Sequence, residues 1–159
     1  MKVAKRFRWE GAHRLPWHLG GCQNIHGHSY YMWVELKGEE DERGLLIDFK
    51  DIKQIIDPLV ASWDHAILIA ATDNELLNVI KQIDSKHFIL PYDTTSENLC
   101  LYVIEYLRTN ALDLLQAHNI ASINVKVQET ETCFAEYEVA INQLEMASKN
   151  KKAAAQLYS

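Results

Sequence analysis

His26 and His28 stand two residues apart around Gly27, in the run Cys22-Gln23-Asn24-Ile25-His26-Gly27-His28. Side chains alternate between the two faces of an extended chain, so both imidazoles leave the backbone on one side and form a two-toothed clamp. A metal needs a third ligand. His13 closes an apolar and aromatic strand-like run upstream, and a hairpin would set it beside the pair. The motif therefore asks for two neighbouring strands in the N-terminal part of the chain. Three neutral imidazoles suit zinc, and three protein ligands rather than four leave one coordination position open, the pattern of a catalytic metal. Cys22 lies just before the clamp, as a fourth ligand or as a separate thiol beside the metal, and the sequence alone leaves both open. The plainer alternative is three histidines satisfied by ordinary hydrogen bonds.

The rest of the chain supplies strands and helices around this hairpin. In 3–15, Val3, Lys5, Phe7 and Trp9 alternate with Ala4, Arg6 and Arg8, which predicts a strand continuing to His13. Pro16, Gly20 and Gly21 mark a loop, and 28–37 is aromatic and β-branched, a second strand. Asp48 is a good N-cap, with Ile52, Ile55, Ile56, Leu59 and Val60 at helical spacing behind it, and Pro58 is expected to interrupt or bend that helix. Asp73 caps a second short helix, 87–90 is a brief extended piece, and a long amphipathic helix opens at Thr94 and reaches about His118. Two strands follow, over 121–130 and 132–141. Strand, strand, helices, strand, strand without strict alternation predicts an α+β fold with a mostly antiparallel sheet. Residues 1–141 form one domain, and 142–159 form a polar tail, helical or disordered.

Composition excludes several classes. At 159 residues the chain suits one domain, and the net charge of −6 with scattered basic residues argues against a nucleic-acid footprint. Three cysteines at irregular spacing do not make a disulfide framework. No apolar run approaches the roughly 18 residues of a membrane helix, and the charged N-terminus lacks a signal peptide's apolar core. A cytoplasmic protein without membrane or nucleic-acid partners is the expectation.

Further side chains carry chemistry. Cys22 sits among glycines and polar residues, a loop rather than a core, and a nearby metal would acidify it. Asp64-His65 has the composition of an acid/base pair, or of a helix end followed by a surface histidine. Glu129 ends an otherwise Val- and Ile-rich strand, as an exposed carboxylate or as an anchor for a ligand's amidine-like edge. Thr94 and Glu97 have capping-box spacing, and such a helix start also presents N–H groups to a ligand.

Taken together, Glu10-Gly11-Ala12-His13-Arg14-Leu15, Cys22-x-x-x-His26-Gly27-His28, Ile47-Asp48-Phe49, Trp63-Asp64-His65, Thr95-Ser96-Glu97-Asn98 and Glu129-Thr130 resemble the 6-pyruvoyl-tetrahydropterin synthase superfamily. Within it the short Cys-to-His spacing resembles the bacterial 6-carboxy-tetrahydropterin synthase branch. The resemblance implies the tunnelling fold, with a four-stranded antiparallel sheet, helices on one face and subunits joined edge to edge, commonly as trimers stacked into hexamers. It implies Zn2+ on His13, His26 and His28, with proton transfers by Cys22, Asp64 and His65. Glu129 would anchor the pterin and is sometimes assigned to the relay, and Thr95, Ser96 and Glu97 would line the pterin pocket. The implied substrate is 7,8-dihydroneopterin triphosphate, which this branch converts to the 6-carboxy product with loss of acetaldehyde and triphosphate. The segment between His65 and Thr95, including 74–90, is longer than in compact bacterial forms, and it leaves the product open between carboxy and pyruvoyl. Arg14 is an available cation for the triphosphate. The rival readings are a pterin- or zinc-binding oligomer without turnover, and a zinc hydrolase working through metal-bound hydroxide.

Overall fold

In the computed structural model, which describes residues 1–143, strands β1 (Lys2–His13) and β2 (His26–Gly38) form a long antiparallel hairpin. Its register runs from Lys2 opposite Lys37 to His13 opposite His26. The expectation for the tail, 142–159, lies outside the described residues but for its first two. On one face of the hairpin Phe7, Trp9, Tyr30, Met32, Val34 and Leu36 are buried. Helix α1 (Phe49–Trp63) covers β1 there through Ile52, Ile56, Leu59 and Trp63, each contributing about 1.5–3 kcal/mol by leaving water. Asp48 caps it as expected, accepting from the Lys50 amide. The helix runs through Pro58 to Trp63, so the proline does not interrupt it. Pro58 and Gln54, whose carbonyl loses its N–H partner, are both exposed, so the missing bond falls on the solvent side of the helix.

The α+β class holds, but the sheet has six strands in the order β4-β3-β1-β2-β5-β6 rather than four. The additional strands are β3 (Ala66–Ala70) and β4 (His87–Leu90). Both run parallel to their neighbours, β3 against the end of β1 at Gly11 and Ala12. Ala66-Ile67-Leu68-Ile69-Ala70 is a short continuous apolar run, the signature of a strand covered on both faces, and it lacks the alternation that reveals a half-exposed strand. Leu68 faces the main core, whereas Ile69 packs with Leu76 and Ile80 of α2 (Asn74–Gln82) in a small second core. Alternation along β3 therefore sets α2 on the opposite face from α1, so the helices do not all lie on one side.

Helix α3 (Ser96–Ala117) packs Leu99, Val103, Ile104, Leu107 and Leu115 into the main core against β5 (Ile120–Gln128) and β6 (Phe134–Ala140). Its N-cap is Thr95, whose hydroxyl accepts from the Asn98 amide, one residue later than the capping box predicted. Thr94 is 1% exposed and points elsewhere, toward His13.

Candidate metal centre and active-site pocket

Continuous pairing of β1 with β2 places His13 opposite His26 and puts His28 two residues further along the same face. The expected clamp forms. Ring centroids lie 4.6 Å apart for His13 and His26, 4.8 Å for His26 and His28, and 5.3 Å for His13 and His28. One nitrogen from each comes within 4.8 Å of the others.

Two backbone carbonyls orient the rings. His13 Nδ1 donates to the Thr94 carbonyl at 2.8 Å, and His26 Nδ1 donates to the Asn24 carbonyl at 2.8 Å. A carbonyl only accepts, so Nδ1 carries the proton and the Nε2 lone pair is free for a metal. His13 is 2% exposed, and the Nε2 atoms of His13 and His28 are buried without a hydrogen-bond partner. An unpaired buried polar atom costs about 1–3 kcal/mol, and a bound cation removes that cost. Burial also lowers the His28 pKa, keeping the ring neutral as a ligand must be. The donor set fits zinc.

Glu129 does not point to solvent. Its Oε1 lies 3.1 Å from His13 Nε2 and 3.6 Å from His28 Nε2, at ion-pair distance but without hydrogen-bond alignment on either nitrogen. The Tyr30 hydroxyl donates to the same oxygen at 3.2 Å. Burial pushes the Glu129 carboxyl up, but the neighbouring His13 and the Tyr30 hydroxyl outweigh it and hold the group below the usual range. Burial raises the Tyr30 phenol, which therefore stays a donor at neutral pH. Tyr30 escaped the sequence reading, although its place two residues after His28 on one strand face is a usable signal.

Cys22 lies in a single 3-10 turn at Gly21–Gln23, partly exposed and free. With His13, Glu129, Thr95, Ser96 and Glu97 it lines one pocket of about 290 Å³. That brings together the thiol, the carboxylate and the start of α3. Leu15, Trp17, Cys133, Phe134 and Ala135 complete the wall.

Asp64 and His65 lie elsewhere. Asp64 Oδ2 meets His65 Nδ1 at 2.9 Å, and Asp64 Oδ1 accepts the Glu10 amide at 3.0 Å. The Glu10 amide first and His65 second hold the Asp64 carboxyl below its usual range. His65 adopts φ 58°, in the left-handed region, and its amide donates to the Glu10 carbonyl at 2.7 Å. Glu10 thus grips both members of the pair through its backbone, a role that no local motif announces. The His65 ring is 76% exposed and opens onto a second pocket of about 410 Å³ with Glu10, Gly27, His28 and Ser29. One chain therefore presents Cys22 and the Asp64-His65 pair in different pockets.

Arg14 is not an available cation. It donates twice to Asp73 at 2.7 Å and once to Glu75 at 3.0 Å, tying the end of β1 to the start of α2. Among the described residues no helix is long and apolar enough to cross a membrane.

Residues 2–140 match the family model described as 6-pyruvoyl tetrahydropterin synthase. A 6-carboxy-5,6,7,8-tetrahydropterin synthase from Haemophilus influenzae is 30% identical over 145 residues, covering 86% of this chain and 98% of its own length. A protein of the same name from Rickettsia bellii is 27% identical over 139 residues, covering 86% and 99%. The 6-pyruvoyl tetrahydropterin synthase structure from Plasmodium falciparum superimposes with a TM-score of 0.72 at 17% identity, covering 88% of this chain and 98% of that one. Its likeness shows the tunnelling fold, and the family model and relatives together show that this chain belongs to the 6-pyruvoyl tetrahydropterin synthase family.

Proposed function

We propose that the protein is a zinc-dependent lyase that converts 7,8-dihydroneopterin triphosphate to 6-carboxy-5,6,7,8-tetrahydropterin, releasing acetaldehyde and triphosphate, in the route to queuosine and related deazapurines. The observation that carries this reading is the pocket in which Cys22, Glu129, Thr95, Ser96 and Glu97 meet the buried face of His13. The relatives named 6-carboxy-5,6,7,8-tetrahydropterin synthase support the product assignment.

His13, His26 and His28 would hold the zinc, which supplies Lewis-acid polarisation of the substrate's side-chain oxygens. Cys22 removes the carbon-bound proton beside them. Glu129 and Glu97 accept hydrogen bonds from the amidine-like edge of the pterin, and Thr95 and Ser96 border the same pocket. His65, oriented and charged by Asp64, exchanges a proton on the other face. Because Cys22 and His65 of one chain open onto different pockets, the two come together between copies in a homo-oligomer, a hexamer of two stacked trimers. Strands β4 and β6 form the two edges of the sheet among the described residues, which is compatible with such assembly.

Incubating the zinc-loaded protein with 7,8-dihydroneopterin triphosphate, with products identified by mass and acetaldehyde assayed in parallel, tests the proposal. The 6-carboxy product with acetaldehyde supports it. The 6-pyruvoyl product without acetaldehyde moves the protein to the triphosphate-elimination reaction alone, and no consumption leaves a pterin- or zinc-binding oligomer.

A further inference from the structure

The pocket beside the histidines combines acidic and hydroxyl-bearing groups with exposed aromatic surface. Trp17 and Phe134 both line it, and they are 57% and 56% exposed. The other tryptophans are placed differently. Trp9 and Trp63 are buried in the main core, and Trp33 lies on the sheet face opposite α1, with the Lys126 ammonium 5.4 Å from its ring centroid. Trp17 belongs to neither hydrophobic core, so folding gives no reason for an indole at this position.

Its loop is nevertheless tied down. The Leu15 amide donates to the Cys22 carbonyl at 2.7 Å and closes the base of the loop. The His18 amide donates to the Leu15 carbonyl at 2.9 Å, completing a turn with Pro16 and Trp17 at its centre, where proline presets the backbone. The Gly20 amide donates to His18 Nδ1 at 2.8 Å. An exposed aromatic side chain carried on a braced loop at the rim of a polar pocket is a preorganised surface for a flat ring.

We propose that Trp17 is a substrate-positioning residue whose indole stacks on one face of a planar heteroaromatic ring while Glu129 and Glu97 hold that ring's amidine-like edge. The inference rests on the pterin reading of the pocket and goes beyond it, dividing recognition between an edge read by carboxylates and a face read by Trp17. Carboxylates alone would accept any guanidine or amidine. An indole wall restricts the site to flat, conjugated rings.

The experiment uses the zinc-loaded full-length protein and neopterin, an oxidised pterin without the triphosphate, measured by isothermal titration calorimetry beside steady-state kinetics on 7,8-dihydroneopterin triphosphate. W17A and W17L are expected to weaken neopterin binding by about ten-fold or more and to raise KM in step, with kcat within about two-fold. W17F, which keeps an aromatic face, is expected to stay within about three-fold of wild type. Zinc per chain and oligomeric mass remain unchanged. W17L keeps apolar bulk without a conjugated face, so it separates stacking from packing and serves if W17A does not fold. The inference is overturned if the wild type binds neopterin and W17L binds it equally well, which leaves the pterin reading intact. It is also overturned if the variants shift oligomeric mass, which makes the loop an assembly contact. A wild type that does not bind neopterin overturns the pterin reading and this inference with it.

Discussion

Thr94 accepts the Nδ1–H of His13 through its backbone carbonyl at 2.8 Å, linking positions 81 apart in sequence. The Thr94 hydroxyl lies 3.3 Å from the same nitrogen and donates to the Arg14 carbonyl at 3.3 Å. One buried residue thus orients a candidate metal ligand and satisfies the backbone beside it. Thr94→Val leaves the Arg14 carbonyl unpaired and is expected to cost about 1–2 kcal/mol of stability, with zinc affinity within about two-fold because the backbone carbonyl that orients His13 is kept. Thermal unfolding and competition with a chromophoric zinc chelator measure the two effects.

Cys22 lines the pocket without belonging to the histidine group. Cys22→Ala is expected to keep one zinc per chain and lower turnover by at least about 100-fold. Loss of zinc in this variant, read by elemental analysis, would make the thiol a fourth ligand instead.

Cys22 and His65 open onto different pockets of one chain, so Cys22→Ala and His65→Ala subunits should complement each other. Each variant alone is expected to be inactive. Co-refolded in equal amounts, they are expected to regain roughly a quarter of wild-type activity, the random fraction of interfaces with both groups intact. No recovery in verified mixed oligomers contradicts a shared site.

Arg14 holds the Asp73 carboxyl below its usual range through their hydrogen bonds. A depressed carboxyl contributes stability above its unfolded value of about 3.9, and the contribution is lost as pH falls through the lower folded value. Asp73→Asn keeps a good helix cap but removes the charge. It is expected to cost about 2 kcal/mol at pH 7, with the deficit shrinking as pH drops below about 4. Urea unfolding across pH 2–7 checks the sign.

The hairpin was legible because β1 and β2 are exposed on one face. Alternation there revealed the strands, and the two-residue spacing of His26 and His28 revealed the clamp. β3 was not legible as a sheet member, since a short strand covered on both faces carries no alternation, and β4, only four residues long at the sheet edge, is too short to show a period. Thr94 looked like a helix cap because its spacing to Glu97 fits one. Only the fold shows Thr95 capping α3 and Thr94 turned toward His13. The separation of Cys22 from His65 depends on three-dimensional placement that no local motif encodes. Arg14 looked free until α2, carried by the segment between His65 and Thr95, supplied Asp73 and Glu75.

The proposed lyase activity depends on His13, His26 and His28 holding one metal ion beside this pocket. The most direct test strips the protein with a chelator, restores zinc in steps, and follows bound metal together with acetaldehyde release from 7,8-dihydroneopterin triphosphate. The expected result is turnover rising in proportion to zinc and reaching its plateau at one ion per chain, with His13→Ala neither binding zinc nor turning over. Full turnover in the stripped protein, or zinc bound at one per chain by His13→Ala, would contradict it.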